Sequence, residues 1–279
     1  GALGGGSNAL TFYNLTISST AVTTCGSNVT INTSGTLTAN SSGVFNCGQT
    51  VTMNNSSSIV NNSSIGNLIF TNLTIASGAT VSSASSFTMF GTLTVSATAT
   101  FSPSAGTVQL ADAASIVNSN VLNFYNLSIL SGSNTTSATF NVTNNMTSSG
   151  GTLTTSGGTI TVTGDLDVAG TITGTGSITV NGGDVTGNGT LNLTSGTFLL
   201  DGVGLFGGNT GWTFQVNARG VIDKSQGLPL QKVAYGTFRV SGQGKPTMYC
   251  RIGDFFAKAC TLFVIMFLIF QRRKFLKKL

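Results

Sequence analysis

The chain has 279 residues, 40% hydrophobic and only 7% charged, with no histidine and a formal net charge of +5. Ordinary soluble domains carry roughly 25% charged residues, and a disordered linker would lack this much core-forming material, so the composition predicts an ordered fold with a nearly neutral surface. No Lys, Arg, Glu or His occurs before Arg219, which removes the residues that most enzymes use to move protons, bind phosphate or ligate transition metals.

All seven acidic residues are Asp, and five of them (Asp112, Asp165, Asp167, Asp184, Asp201) lie in this long body. The chain divides by texture into three parts: a repeat domain over 1–216, a linker or stem over 217–253, and a candidate membrane anchor with a basic end over 254–279. It begins at a glycine, shows no signal-peptide pattern of charge, apolar run and cleavage site, and has the look of a fragment or processed form.

In the body, Leu10-Thr11-Phe12-Tyr13-Asn14-Leu15-Thr16-Ile17 recurs at Leu68–Ile75 and at Leu122–Ile129, 58 and then 54 residues on. Gly35-Thr36-Leu37-Thr38 returns at Gly91 and at Gly151, and Ser58-Ile59-Val60-Asn61 returns at Ser115. Such a period marks a repeat architecture. Within it, apolar residues alternate with Ser, Thr and Asn, as in Val29/Ile31, Val51/Met53, Leu93/Val95 and Ile160/Val162. Period two predicts short strands with one buried face. Only three Asn-Gly or Asp-Gly hairpin signals occur in the body, which favours parallel stacking over hairpins. The predicted fold is all-β, a single-stranded parallel β-helix of about eleven coils, each of about 19 residues, with a repeat of three coils. An irregular C-terminal stem and a short apolar helix would follow. Phe12, Phe70, Phe87, Phe101, Phe124, Phe140 and Phe198 are expected to fill the core.

Four features carry possible chemistry. Cys25 and Cys47, both followed by Gly and 22 residues apart, would stack one coil apart, either bridged or as buried thiols. Asp165 and Asp167 share a strand face with Asp184 about a coil away, a weak carboxylate patch for a glycosidase-like or Ca²⁺ site, or simply a solvated face. Thr-x-Thr triplets at 36–38, 50–52, 92–94, 152–154, 159–161 and 171–173 would form outward Thr rows, the ordinary choice for a strand surface and also the pattern of an ice-binding face. Asn-x-Ser/Thr sequons at Asn14, Asn28, Asn72, Asn126, Asn141 and Asn192 are glycosylation candidates, although a chain this rich in these residues produces them by chance. No catalytic residue, metal ligand set or cofactor is expected.

The texture changes after Trp212. The apolar run through Leu262, Phe263, Val264, Ile265, Met266, Phe267, Leu268, Ile269 and Phe270 precedes the basic residues Arg272, Arg273, Lys274, Lys277 and Lys278. An apolar run followed by a basic cluster is the pattern of a stop-transfer segment, with the body outside the cell. The run is shorter than the ~20 residues of a full span, so an interfacial basic segment, or a stretch foreign to the native protein, is the alternative. No nucleic-acid-reading motif accompanies the basic cluster.

The Phe-Tyr-Asn-Leu-Thr-Ile repeats, the Gly-Thr-Leu-Thr strands and the run from Gly150 to Leu200 resemble the Ser/Thr/Asn/Gly-rich β-solenoid regions of bacterial and archaeal surface proteins, adhesin-like or autotransporter passenger-like. The resemblance covers about three-quarters of the chain. It implies an extracellular, cell-surface protein that is structural or adhesin-like, with partners on a host or environmental surface, glycans among them, and the apolar and basic tail adds membrane attachment through the C-terminus. The alternatives are a carbohydrate-active β-helix enzyme, a polysaccharide lyase or hydrolase, and an ice-binding solenoid.

Overall fold

The computed structural model describes residues 1–201 and 213–216, apart from Ser7, Ser19, Ser41, Ser42, Ala84 and 119–121. Every described strand pair is parallel, and partners lie about one coil apart along the chain: Thr24 against Asn46, Asn46 against Ile69, Ile69 against Thr88, Thr88 against Gln109. The chain is therefore a parallel β-solenoid, winding through three faces per coil. The first face runs from Ala2–Leu3 through Thr23–Cys25 to Val185–Gly187, and the second from the start of Leu10–Ile17 to Thr213–Val216. The third runs from the end of Leu10–Ile17 to Phe198–Asp201. The described first face has ten rungs, and Thr213–Val216 adds an eleventh rung to the second.

Alternation puts every second side chain inside. Val29, Val51, Leu73, Leu93 and Ile116 stack as one inward column of the second face, each fully shielded from solvent. Burying such side chains stabilises the stack by roughly 1.5–3 kcal/mol each. Where the chain turns, Phe45, Phe70, Phe87, Phe101, Phe124 and Phe140 form a continuous edge-to-face column with centroids 5.4–6.4 Å apart, a geometry that sets ring edges against ring faces. Phe45 joins a set that the sequence pattern had omitted. Phe12 and Phe198, at the two ends of the described stack, are only partly buried.

Coils shorten along the chain. Thr36 follows its partner Asn14 by 22 residues, whereas Asp184 follows Asp165 by 19. In the later coils Ser148, Thr155, Gly174 and Gly187 take inward positions that larger residues hold in the early ones. These small side chains satisfy the tighter corners directly. Ser148 Oγ donates to the Gly151 carbonyl at 3.2 Å, and Thr155 Oγ1 accepts the Gly176 N–H at 3.0 Å.

The sequence repeat is not three coils. Leu10 shares its column with Val29, Val51 and Leu73, so it lies on the second face. Its counterpart Leu68 pairs with Phe45 on the first face, and Leu122 pairs with Phe140 on the third. Each recurrence is therefore eight strands on, two coils and two faces, and moves to a different corner. The motif encodes a way of turning a corner, and all three corners accept it.

Candidate functional site: the outward ladders and the carboxylate corner

The outward surface is built by the residues that alternate with the core. On the second face one column runs Thr50, Asn72, Thr92, Ser115, Thr135, Thr154, Thr173 and Asn192. Of the six Thr-x-Thr triplets, those at 50–52, 92–94, 152–154 and 171–173 lie on this face, and those at 36–38 and 159–161 on the third. Val117 and the Asn residues interrupt the rows. Among the described residues the exposed large hydrophobics are Tyr13, Val22, Val117, Leu130 and Leu199, so one exposed aromatic ring, Tyr13, is available for stacking on a sugar.

Five of the six sequon asparagines, Asn14, Asn28, Asn72, Asn126 and Asn141, hydrogen-bond from coil to coil. The side-chain Oδ1 of Asn14 accepts the Thr36 N–H, that of Asn28 the Thr50 N–H, and that of Asn72 the Thr92 N–H, at 2.9–3.2 Å. Each sits where the chain enters a strand and a backbone donor of the next coil has no strand partner. A buried or half-buried N–H left unpaired is costly, so Asn there clamps coil to coil. Asn141 instead donates from Nδ2 to Asn123 Oδ1 at 2.9 Å.

The carboxylate patch belongs to the same device. At the entry to the first face, Asn126 Oδ1 accepts the Asn145 N–H, Asn145 Oδ1 accepts the Asp165 N–H, and Asp165 Oδ1 accepts the Asp184 N–H, at 3.1, 3.0 and 2.9 Å. Asp165 and Asp184 are thus neighbours one coil apart. Asp167 lies on the same strand, outward between Thr147 and Thr186, because Leu166 and Val168 fill the core. Among the described residues no group of three His, Cys, Asp or Glu side chains is placed to hold a metal ion.

Cys25 and Cys47 are both buried free thiols, hydrogen-bonded to each other from adjacent rungs. Sequence reasoning missed the polar interior groups, among them Asn134, which takes an inward position between Ser133 and Thr135 and is fully buried. Its Oδ1 accepts the Ala114 N–H, and its Nδ2 donates to the Ser131 and Thr152 carbonyls. Strict alternation through Ser133-Asn134-Thr135 was the available signal.

The candidate anchor Leu262–Phe270 and the basic residues Arg272–Lys278 lie outside the described residues, as do the stem and anchor regions at 217–279. No helix among the described residues is long and apolar enough to cross a membrane. No family model, curated protein or solved structure matches the chain.

Proposed function

We propose that the chain is a non-enzymatic, adhesin-like or structural protein of the cell surface, whose solenoid stands outside the cell and is attached through the C-terminal segment. The observation that carries this reading is the surface itself. Three ordered faces are clothed in Thr, Ser and Asn side chains, with five Asp as the only charged side chains before Arg219. Several of the polar side chains that look functional are engaged in holding coil to coil. A neutral, hydrogen-bonding surface of this kind suits contact with environmental or host surfaces, neutral glycans among them, without long-range steering by charge.

The rival enzyme reading rests on Asp165, Asp167 and Asp184. Asp165 is occupied in capping the Asp184 backbone, and the first 218 residues supply no Lys, Arg, His or Glu to complete a lyase or hydrolase groove. The test is reducing-end release from a panel of plant, bacterial and animal polysaccharides. No release by the wild-type chain is expected. Release that disappears in Asp165→Ala/Asp167→Ala would overturn the reading. The in-register stacking of Thr152-Leu153-Thr154 on Thr171-Ile172-Thr173 favours ice binding as a second reading, and thermal hysteresis in a freezing solution tests it.

A further inference from the structure

Two nucleophiles have no part in the scaffold surface. Thr23 pairs with Phe45 and Thr24 with Asn46, which brings Cys25 and Cys47 to adjacent rungs at the same inward position of the first face. Leu3 lies against Cys25 on one side and Phe70 against Cys47 on the other, so the column offers each sulfur only the other sulfur and hydrocarbon. Neighbouring strands lie ~4.8 Å apart, inside the Cα separations that a disulfide spans. Both sulfurs are buried, and the cover differs: a Cβ added at Gly48, after Cys47, would meet nothing within 4 Å, whereas Gly26, after Cys25, is packed under the backbone of Gly4 and Gly5.

We propose that Cys25 and Cys47 form a reversible redox clasp, a cross-coil disulfide that locks the second and third coils together when the protein meets a disulfide-bearing oxidant. The two thiols differ in readiness. The Cys25 S–H donates to the Cys47 sulfur, which holds Cys25 above the ordinary thiol range, with burial adding to it. That same hydrogen bond, helped against burial by the Gln49 backbone N–H, holds Cys47 below that range. Either thiol, once ionised, can open the exchange, here Cys47.

Its sulfur bonds to one sulfur of the oxidant, the oxidant's S–S bond breaks, and the first thiol equivalent leaves with a proton from solvent. Cys25 then gives its proton to solvent and attacks the Cys47 sulfur of the mixed disulfide, expelling the second thiol equivalent. Two cysteine thiols become one S–S bond, and the oxidant is reduced to two thiols.

The test uses the full chain carrying Cys250→Ser and Cys260→Ser, equilibrated with oxidised or reduced glutathione. Mapping uses pepsin, because trypsin has no cleavage site before Arg219. The expected result is a peptide pair joining Cys25 to Cys47, reversed by dithiothreitol, with the oxidised chain melting several degrees above the reduced one. Two free thiols after oxidation, glutathione capping without closure, or an unchanged melting temperature would each overturn the proposal. All comparisons are between redox states of one chain and need no cysteine variant of the pair to fold.

Discussion

Asp165 Oδ1 accepts the backbone N–H of Asp184 at 2.9 Å, and the Asp184 carbonyl in turn accepts the Leu166 N–H at 2.8 Å. Side chain in one direction and backbone in the other tie two coils together at a corner that has no strand pairing of its own. The bond needs a side-chain oxygen and no charge, since Asn126 and Asn145 perform it on the two preceding coils.

Asp165→Asn should therefore be nearly neutral, while Asp165→Ala leaves a backbone donor unpaired and should cost about 1 kcal/mol. Amide hydrogen exchange at Asp184 checks this without assuming all-or-none unfolding of a repeat protein. Faster exchange is expected in the Ala variant alone.

The turn from the second face to the third places Ser34, Ser56, Gly78 and Thr98 at successive levels, all with positive φ, 60°, 58°, 71° and 63°. Thr80 pairs with Thr100, so Thr98 occupies the level directly after Gly78. A β-branched residue in this region costs roughly 1–2 kcal/mol, and glycine carries no such penalty. Thr98→Gly should raise the denaturation midpoint despite the added freedom of the unfolded chain. Gly78→Thr should lower it.

Phe124 touches both Phe101 and Phe140 in the aromatic column, at centroid distances of 6.3 and 5.5 Å. Phe124→Ala should cost about 3–5 kcal/mol through the cavity it leaves, and Phe124→Leu clearly less. Because a solenoid's coils interact mainly with their neighbours, lost exchange protection should centre on the coils containing residues 101–142 and spare Val29–Met53.

Thr152-Leu153-Thr154-Thr155 pairs residue for residue with Thr171–Gly174, so 152–170 is one whole coil. Its excision should leave parallel pairing intact, with a circular dichroism spectrum unchanged in shape and a melting temperature within several degrees of wild type. Removing 152–165 instead takes two of the coil's three strands and leaves the third out of phase, and a broad, early melt is expected.

The parallel strands were legible because inward residues such as Leu37, Val51 and Leu93 alternate with Thr, and the scarcity of turn signals favoured parallel stacking over hairpins. The phase of the repeat was not. Phe12-Tyr13-Asn14-Leu15 and Phe70-Thr71-Asn72-Leu73 look like the same place in successive repeats, yet they turn different corners. Similar sequence reports local backbone geometry, and three corners with similar geometry share one solution. Asp165 and Asp184 looked like a chemical pair for the same reason: a clamp and an active-site carboxylate use the same atom, and only the coil above shows which it is. Cys25 and Cys47 were placed together by spacing alone, because the early coils are 22 residues long.

Surface display is the central claim, and immunolabelling of intact cells that make the chain tests it most directly. An antibody raised against 150–200, a run of solenoid coils, should label unpermeabilised cells as strongly as permeabilised ones. Labelling that appears only after permeabilisation would contradict the account.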